Sequence, residues 1–183
     1  MTDDAPNPTR TRILDVAEDG ARAGGYAGFS FREIAAEIGI KPASVHYHFP
    51  AKADLARAMM ARYTDTLLSG LGDSADRGQP ADALLAAFVA EMRRRLAEEE
   101  LQCLGAVLGA ESAALPLAVA AEVRDFFARV TRWLTPLFQR RGAPVPETAA
   151  MAFLAQIHGA MIQSRSLGAL DVFDQISARA LSR

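Results

Sequence analysis

The stretch from Phe29 to Lys52, FSFREIAAEIGIKPASVHYHFPAK, constrains this chain more than any other. Ser30 and Glu33 have the spacing of a capping box, and Phe29 and Ile34 that of a hydrophobic staple, so a helix is expected from Phe31 to about Ile38. Gly39 stands where that helix must reverse, because glycine takes a left-handed position without strain. Pro42 suits the first position of a second helix, running to about Phe49 and closed by Pro50. Ala35, Gly39 and Val45 then meet the steric demands of a helix-turn-helix: a small residue at the crossing, a glycine in the turn and an apolar residue packed back beneath. The alternative is an ordinary helical hairpin with a coincidental glycine. The cap, the turn and the proline together favour the helix-turn-helix, whose second helix enters the major groove of DNA.

The rest of the chain limits the partners. With 183 residues, half of them apolar, it is long enough for a sizeable core. It has no apolar run near the ~20 residues of a membrane span, so no membrane partner is expected. The acidic, polar start MTDDAPNPTR is unlike a signal peptide. A single cysteine, Cys103, excludes an intrachain disulfide and suits a reducing, cytoplasmic location. The net charge of −2 excludes a generally basic nucleic-acid binder, so any affinity for DNA must come from local placement of charge. The two lysines of the chain, Lys41 and Lys52, bracket the second helix of the pair.

Residues 1–8 read as a disordered leader, 9–52 as the helix-turn-helix domain and 53–183 as a larger helical domain. A first helix from about Pro8 to Ala23 carries Ile13, Leu14, Ala17 and Ala21 on one face. A fourth runs from Lys52 to about Ser69, and Gly70 to Pro80 is a loop. Further helices are expected at about 81–98, 101–113, 117–141, 146–169 and 171–181. Pro136 predicts a kink, or a break near Leu134. The fold class is all-α: an N-terminal three-helix bundle with a helix-turn-helix, followed by a larger C-terminal helical domain.

Residues 9–62 resemble the DNA-binding domain of the tetracycline-repressor (TetR/AcrR) family of bacterial transcriptional regulators. The family's pattern looks like I-A-x-x-x-G-[VI]-x-x-x-[ST]-[LVI]-Y-x-[HY]-F-x-x-K-x-x-L, and here it reads Ile34, Ala35, Gly39, Ile40, Ser44, Val45, His46, Tyr47, His48, Phe49, Lys52 and Leu55. His46 replaces the usual tyrosine, Lys41 the usual serine cap, and Ala51 the serine that often caps the next helix. Gly159 to Asp174 resembles the family's penultimate helix and the start of the last. The resemblance implies a homodimer built on the last two long helices, a pocket for a small-molecule effector, and release of a palindromic double-stranded DNA operator when that pocket fills. The small residues Ala155, Gly159, Ala160 and Gly168 would allow close helix approach in such a dimer, or are simply core positions of a monomer.

In the recognition helix, Lys41, Pro42, Ala43, Ser44, His46, Tyr47 and His48 are the candidate DNA contacts, while Val45 and Phe49 face inward. Lys41 and Ser44 suit base edges or phosphates. The resemblance implies that the Tyr47 hydroxyl meets a phosphate, and Lys52, Arg10 and Arg12 suit the backbone, which positions without specifying. His46 and His48, two apart on a helix, point about 200° from each other and cannot share an ion. No metal site, cofactor or catalytic constellation is read from the sequence. For the effector the candidates are Cys103, Phe127, Trp133, Phe153, Gln156 and His158. Cys103 reads either as a small core hydrophobe or as a cavity thiol that senses an electrophile or oxidant. The apolar bias of these segments suggests a hydrophobic or aromatic effector. The reading is a ligand-responsive, dimeric, DNA-binding repressor. A DNA-binding regulator without an effector, and a small all-α enzyme in which the helix-turn-helix is incidental, are the alternatives.

Overall fold

The computed structural model describes residues 7–98 and 101–182. Among these, nine α-helices and one 3-10 turn account for the regular structure: α1 (Pro8–Gly24), the turn Gly25–Ala27, α2 (Phe31–Ile38), α3 (Pro42–His48), α4 (Lys52–Leu71), α5 (Ala81–Glu98), α6 (Leu104–Ala110), α7 (Leu117–Arg140), α8 (Pro146–Leu167) and α9 (Leu170–Leu181). The all-α class and the helix order are as expected. The first helix starts at Pro8, as expected, and Asn7 caps it, accepting from the amides of Thr9 and Arg10 at 3.1 Å. The rest of the expected leader, residues 1–6, lies outside the described residues.

Local chemistry sets the helix-turn-helix. Ser30 Oγ accepts from the Glu33 amide at 3.3 Å, and its hydroxyl donates to the Glu33 carboxylate at 2.7 Å. The capping box therefore closes through the hydroxyl of Ser30 instead of its backbone amide. Gly39 adopts φ 75° and ψ 35°, and the Ile40 amide returns to the Ala35 carbonyl at 2.9 Å. Ala51 has no side-chain acceptor, and Asp54 compensates by accepting from the Ala51 amide at 3.1 Å. Ile34, Ala35, Ile38, Val45 and Phe49 are buried together with Ile13, Leu14 and Ala17 of α1.

The small domain is not free-standing. Its apolar face continues along α4 into one core with α5 to α9, through Leu55, Met59, Tyr63 and Leu67. Arg62 of α4 reaches Asp15 and Glu18 of α1 at 2.7 and 3.2 Å. Arg129 of α7 reaches Asp65 of α4 at 2.7 Å. Pairs near the surface add little stability singly. The loop after α4 is tied down from α7, where Trp133 Nε1 donates to the Gly72 carbonyl at 2.8 Å and Arg140 donates to the carbonyls of Ser74, Asp76 and Gln79.

Two expectations need correction. The helix expected at 101–113 is only Leu104–Ala110. At its start the Gln102 carbonyl is held by Arg22 Nε at 2.8 Å, and Cys103 is extended. At its end the Glu111 side chain is spent on the Tyr26 amide at 2.8 Å, and Pro116 stops continuation. The break expected near Leu134 does not occur, and α7 runs through Pro136. Burial of Val130, Trp133, Leu134, Leu137 and Phe138 along one stripe outweighs the lost bond, which for an interior proline costs about 3 kcal/mol.

Because Gly39 is left-handed, Gly39→Ala is expected to destabilise the chain by about 1–2 kcal/mol, read as a lower midpoint in urea unfolding with an unchanged slope.

Candidate nucleic-acid interface and ligand groove

The helix α3 presents one face outward and one inward. Val45 is fully buried and Phe49 nearly so, whereas Tyr47 is 84% exposed. Lys41, Pro42, Ala43 and His46 are also exposed, and Ser44 and His48 are half-buried. Lys41, Ala43, Ser44, Tyr47 and His48 join Thr9 of α1 and Ile40 around a shallow concavity of about 450 Å³. The structure thus gathers most of the expected contacts on one convex edge with a cleft beside it. An aromatic ring this exposed on a short helix is poorly explained by packing and well explained by a partner.

The other expected contacts are held by aromatic rings. The Arg10 guanidinium stands 5.0 Å from the centre of the Phe49 ring, at the C-terminal end of α3. His46 packs edge-on to Phe31 of α2 at 4.6 Å, and Tyr47 and His48 pack edge-on at 5.3 Å. Lys52 is half-buried, its ammonium 4.4 Å from the Phe29 ring centre and 4.8 Å from that of Tyr26. Burial lowers its pKa, and nearby Glu33 works in the opposite direction. Lys52 is thus held in place against two rings. Arg12 is exposed on α1. Thr9 was not anticipated from sequence, because its place beside α3 depends on how α1 crosses the pair.

A second concavity, about 820 Å³, opens between α7 and α8. Phe127, Ala128, Thr131, Arg132, Thr135 and Pro136 form one wall, and Glu147, Met151, Leu154, Ala155 and His158 the other. Of the expected effector contacts, Phe127 and His158 line it. Cys103 is fully buried behind it, beside His158 and Tyr63. Gln156 faces a different cleft, with Gln175, Ile176 and Arg179 of α9. Trp133 stacks on Phe88, and Phe153 packs between Phe88 and Phe138, so both are core residues away from the groove. Thr131, Thr135, Met151 and Ala155 were not singled out from sequence. Their four-residue spacings were visible, but which helix faces they would share was not. Among the described residues, no group of three or more His, Cys, Asp or Glu side chains could hold a metal ion.

The two regions are joined by α6. Its leading segment holds α1 through Arg22 and holds α8 through Gln102 Nε2, which donates to the Met161 carbonyl at 3.1 Å. Its far end holds the 3-10 turn through Glu111 and Tyr26. Gly105 and Gly109 let α6 lie directly on Phe126 and Phe127 of α7, and a side chain at Gly105 would collide with the Phe126 ring. Movement in the groove wall at Phe127 or His158 is thereby in contact with the element that grips α1.

Tyr47→Ala is expected to leave folding stability within about 0.5 kcal/mol of the parent, while Val45→Ala costs about 2 kcal/mol, both read by urea unfolding. Equal losses would contradict the inward and outward assignment of α3.

Comparison with known proteins agrees with this geometry. Residues 13–59 match the family model for bacterial regulatory proteins, tetR family. No curated protein compared with the chain matches it. Among solved structures, a TetR-family transcriptional regulator from Agrobacterium tumefaciens is 29% identical and superposes with a TM-score of 0.90, covering 98% of each chain. A TetR transcriptional regulator from Legionella pneumophila is 28% identical, with a TM-score of 0.88 over 97% of each chain. A regulatory protein TetR from Rhodobacter sphaeroides, 19% identical with a TM-score of 0.87 over 96% of this chain and 98% of that one, shares the fold. Residues 13–59 are thus a DNA-binding domain of the tetR-family type, and the chain shares its architecture over nearly the whole length with TetR-family transcriptional regulators.

Proposed function

We propose that this regulator is a homodimeric repressor that releases a two-fold symmetric DNA operator when an apolar small molecule enters the groove between α7 and α8. The outward face of α3, with Tyr47 at its crest, is the observation that carries the DNA-binding half. Lys41 and Ser44 would reach base edges or phosphates, and Pro42, Ala43, His46 and His48 would make the close surface around them. Tyr47 would donate its hydroxyl to a phosphate, with Arg10, Arg12 and Lys52 placing positive charge along the backbone. Lys52, held by two rings, would arrive at its phosphate with little side-chain entropy left to lose.

Support for the dimer lies on α8. Thr148, Ala152, Ala155, Ile162, Gln163 and Ser166 are exposed along one side of the helix, with Ile162 52% accessible. A side chain at Gly159 would point into open space. Such an apolar, small-residue stripe suits close packing against a second copy. Of the four small residues expected there, Ala155 and Gly159 lie on this side. Ala160 is buried in the subunit's own core, and Gly168 ends α8 with φ 64°. Two copies would present two recognition helices to successive major-groove turns, about 34 Å apart.

Support for the effector half is the groove, with Phe127 and Met151 as apolar walls and Thr131, Thr135 and His158 as polar points. An apolar molecule spreading α7 from α8 would move Phe127 against α6, and α6 against Arg22 and Tyr26. The protein would act in the cytoplasm, as a regulator and not as an enzyme, and without a cofactor.

The test is a fluorescence-anisotropy titration against duplex DNA from upstream of its own gene, across a salt series. Binding is expected to weaken steeply with salt, and Tyr47→Ala to weaken it by tenfold or more, about 1.4 kcal/mol. Gly159→Arg is expected to give a monomer in sedimentation and to lose the DNA. A monomeric parent that still bound one site tightly would overturn the dimer.

A further inference from the structure

The groove accounts for one side of His158. Its other side belongs to a buried cluster that reversible binding does not explain. Cys103, Tyr63 and His158 come from the start of α6, from α4 and from α8, and all three are more than nine-tenths buried. The thiol interacts with both the imidazole and the phenol. Tyr63 Oη and His158 Nε2 are buried and, among the described residues, meet no hydrogen-bond partner beyond the thiol itself, and the Gln102 side-chain oxygen next to Cys103 meets none. Buried polar atoms in this state carry a desolvation cost that folding does not recover, so their retention calls for a reason. The imidazole lies against Phe126 at 6.3 Å and edge-on to Phe127 at 5.9 Å, and Phe126 also meets Tyr63 at 6.0 Å. These rings make the surroundings of the thiol apolar.

We propose that Cys103, with His158 and Tyr63, is a covalent capture site for apolar α,β-unsaturated carbonyl compounds, and that the adduct loosens the hold of α6 on α1. This rests on the reading of the chain as an effector-responsive regulator and names the class of effector. In the capture step the thiol gives its proton to the imidazole, and the sulfur forms a bond to the β-carbon of the electrophile. The C=C π pair shifts to an enolate whose oxygen accepts from the Tyr63 hydroxyl. The imidazolium returns the proton to the α-carbon. Nothing is oxidised or reduced, and with one cysteine in the chain no intrachain disulfide competes. An uncharged planar molecule suits walls made of Phe126 and Phe127, and His158 borders the groove through which it would arrive.

Electrostatics favour the same step. Burial alone pushes the Cys103 thiol up, but the charge and hydrogen bonding of His158, with smaller help from Tyr63 and the Ala106 amide, bring it down to about 6. Burial, and then the neighbouring thiolate, push the Tyr63 phenol well above its ordinary range, so it remains a donor. Arg95, whose guanidinium stands 4.9 Å from the Tyr63 ring centre, and Arg22 oppose that rise. Glu18 lies within the influence of both arginines and of Arg62, and burial raises its pKa. An adduct has no free space to occupy, because α6 rests directly on Phe126 at Gly105. It must displace the segment whose Gln102 carbonyl holds Arg22.

The test uses N-ethylmaleimide on the intact, DNA-free protein, with adduct formation followed by intact mass and backbone exchange followed over residues 20–28. One adduct at Cys103 is expected, with a rate nearly flat as pH falls to about 6 and dropping below. His158→Gln is expected to slow capture at neutral pH by about tenfold or more, and Tyr63→Phe by several-fold, while in urea all three chains react alike. The adduct is expected to lower amide protection at Tyr26 and its neighbours. No adduct on the native chain, or equal native rates with and without the imidazole, would overturn the site. If His158→Gln does not fold, the pH profile of the parent and the Tyr63→Phe rate decide. Capture without any change in exchange at residues 20–28 would overturn the switch. Neither readout involves DNA, so a chain that captures and loosens but binds no operator would sink only the regulator reading.

Discussion

The guanidinium of Arg22 is buried in the core, and a buried charge is tolerable only when its hydrogen bonds are met. One of them is met from eighty residues away, by the carbonyl of Gln102. That single demand fixes the start of α6, sets where α1 sits on the larger domain and holds Cys103 in an extended turn against His158. With Glu111 holding Tyr26 at the other end, α6 is fastened to the DNA-binding domain at both termini and lies flat on α7 between them. The recognition helix is carried on α1 and α4, so its position follows from these ties.

On the proposed reading, this arrangement lets a chain with almost balanced charge engage a polyanion under control. The DNA-facing edge has few charges, and two of them are held by rings: Arg10 over Phe49, and Lys52 over Phe29 and Tyr26. Their placement relative to a second copy matters more than their number. On that reading, small displacements at the groove would change the spacing of two recognition helices, because packed elements move as units and not by gradual deformation.

The sequence disclosed the helix-turn-helix because its determinants are local. A cap at Ser30, a left-handed glycine at residue 39, a proline at residue 42 and the apolar spacing between them act within a few residues of each other. The order of the later helices was legible for the same reason, from loops rich in Gly, Asp and Pro. The length of α6 was not, since Gln102 and Glu111 answer to partners in α1 and the turn after it. The continuity of α7 was not, because the proline's local penalty is outweighed by packing that only the assembled core supplies. The groove was half legible: Phe127 and His158 stand in it, but Trp133 and Phe153, equally aromatic in sequence, are spent on Phe88, Phe138 and the Gly72 carbonyl. An aromatic residue does not announce whether its ring faces a cavity or a neighbour.

The most direct measurement of the central claim is selection of bound duplexes from a random-sequence DNA pool by the purified full chain, followed by sequencing. The account predicts enrichment of one two-fold symmetric motif whose half-sites are about one helical turn apart, and loss of that enrichment when Tyr47 is replaced by alanine. Recovery of a pool no different in sequence from the input, at salt low enough for binding, would contradict it.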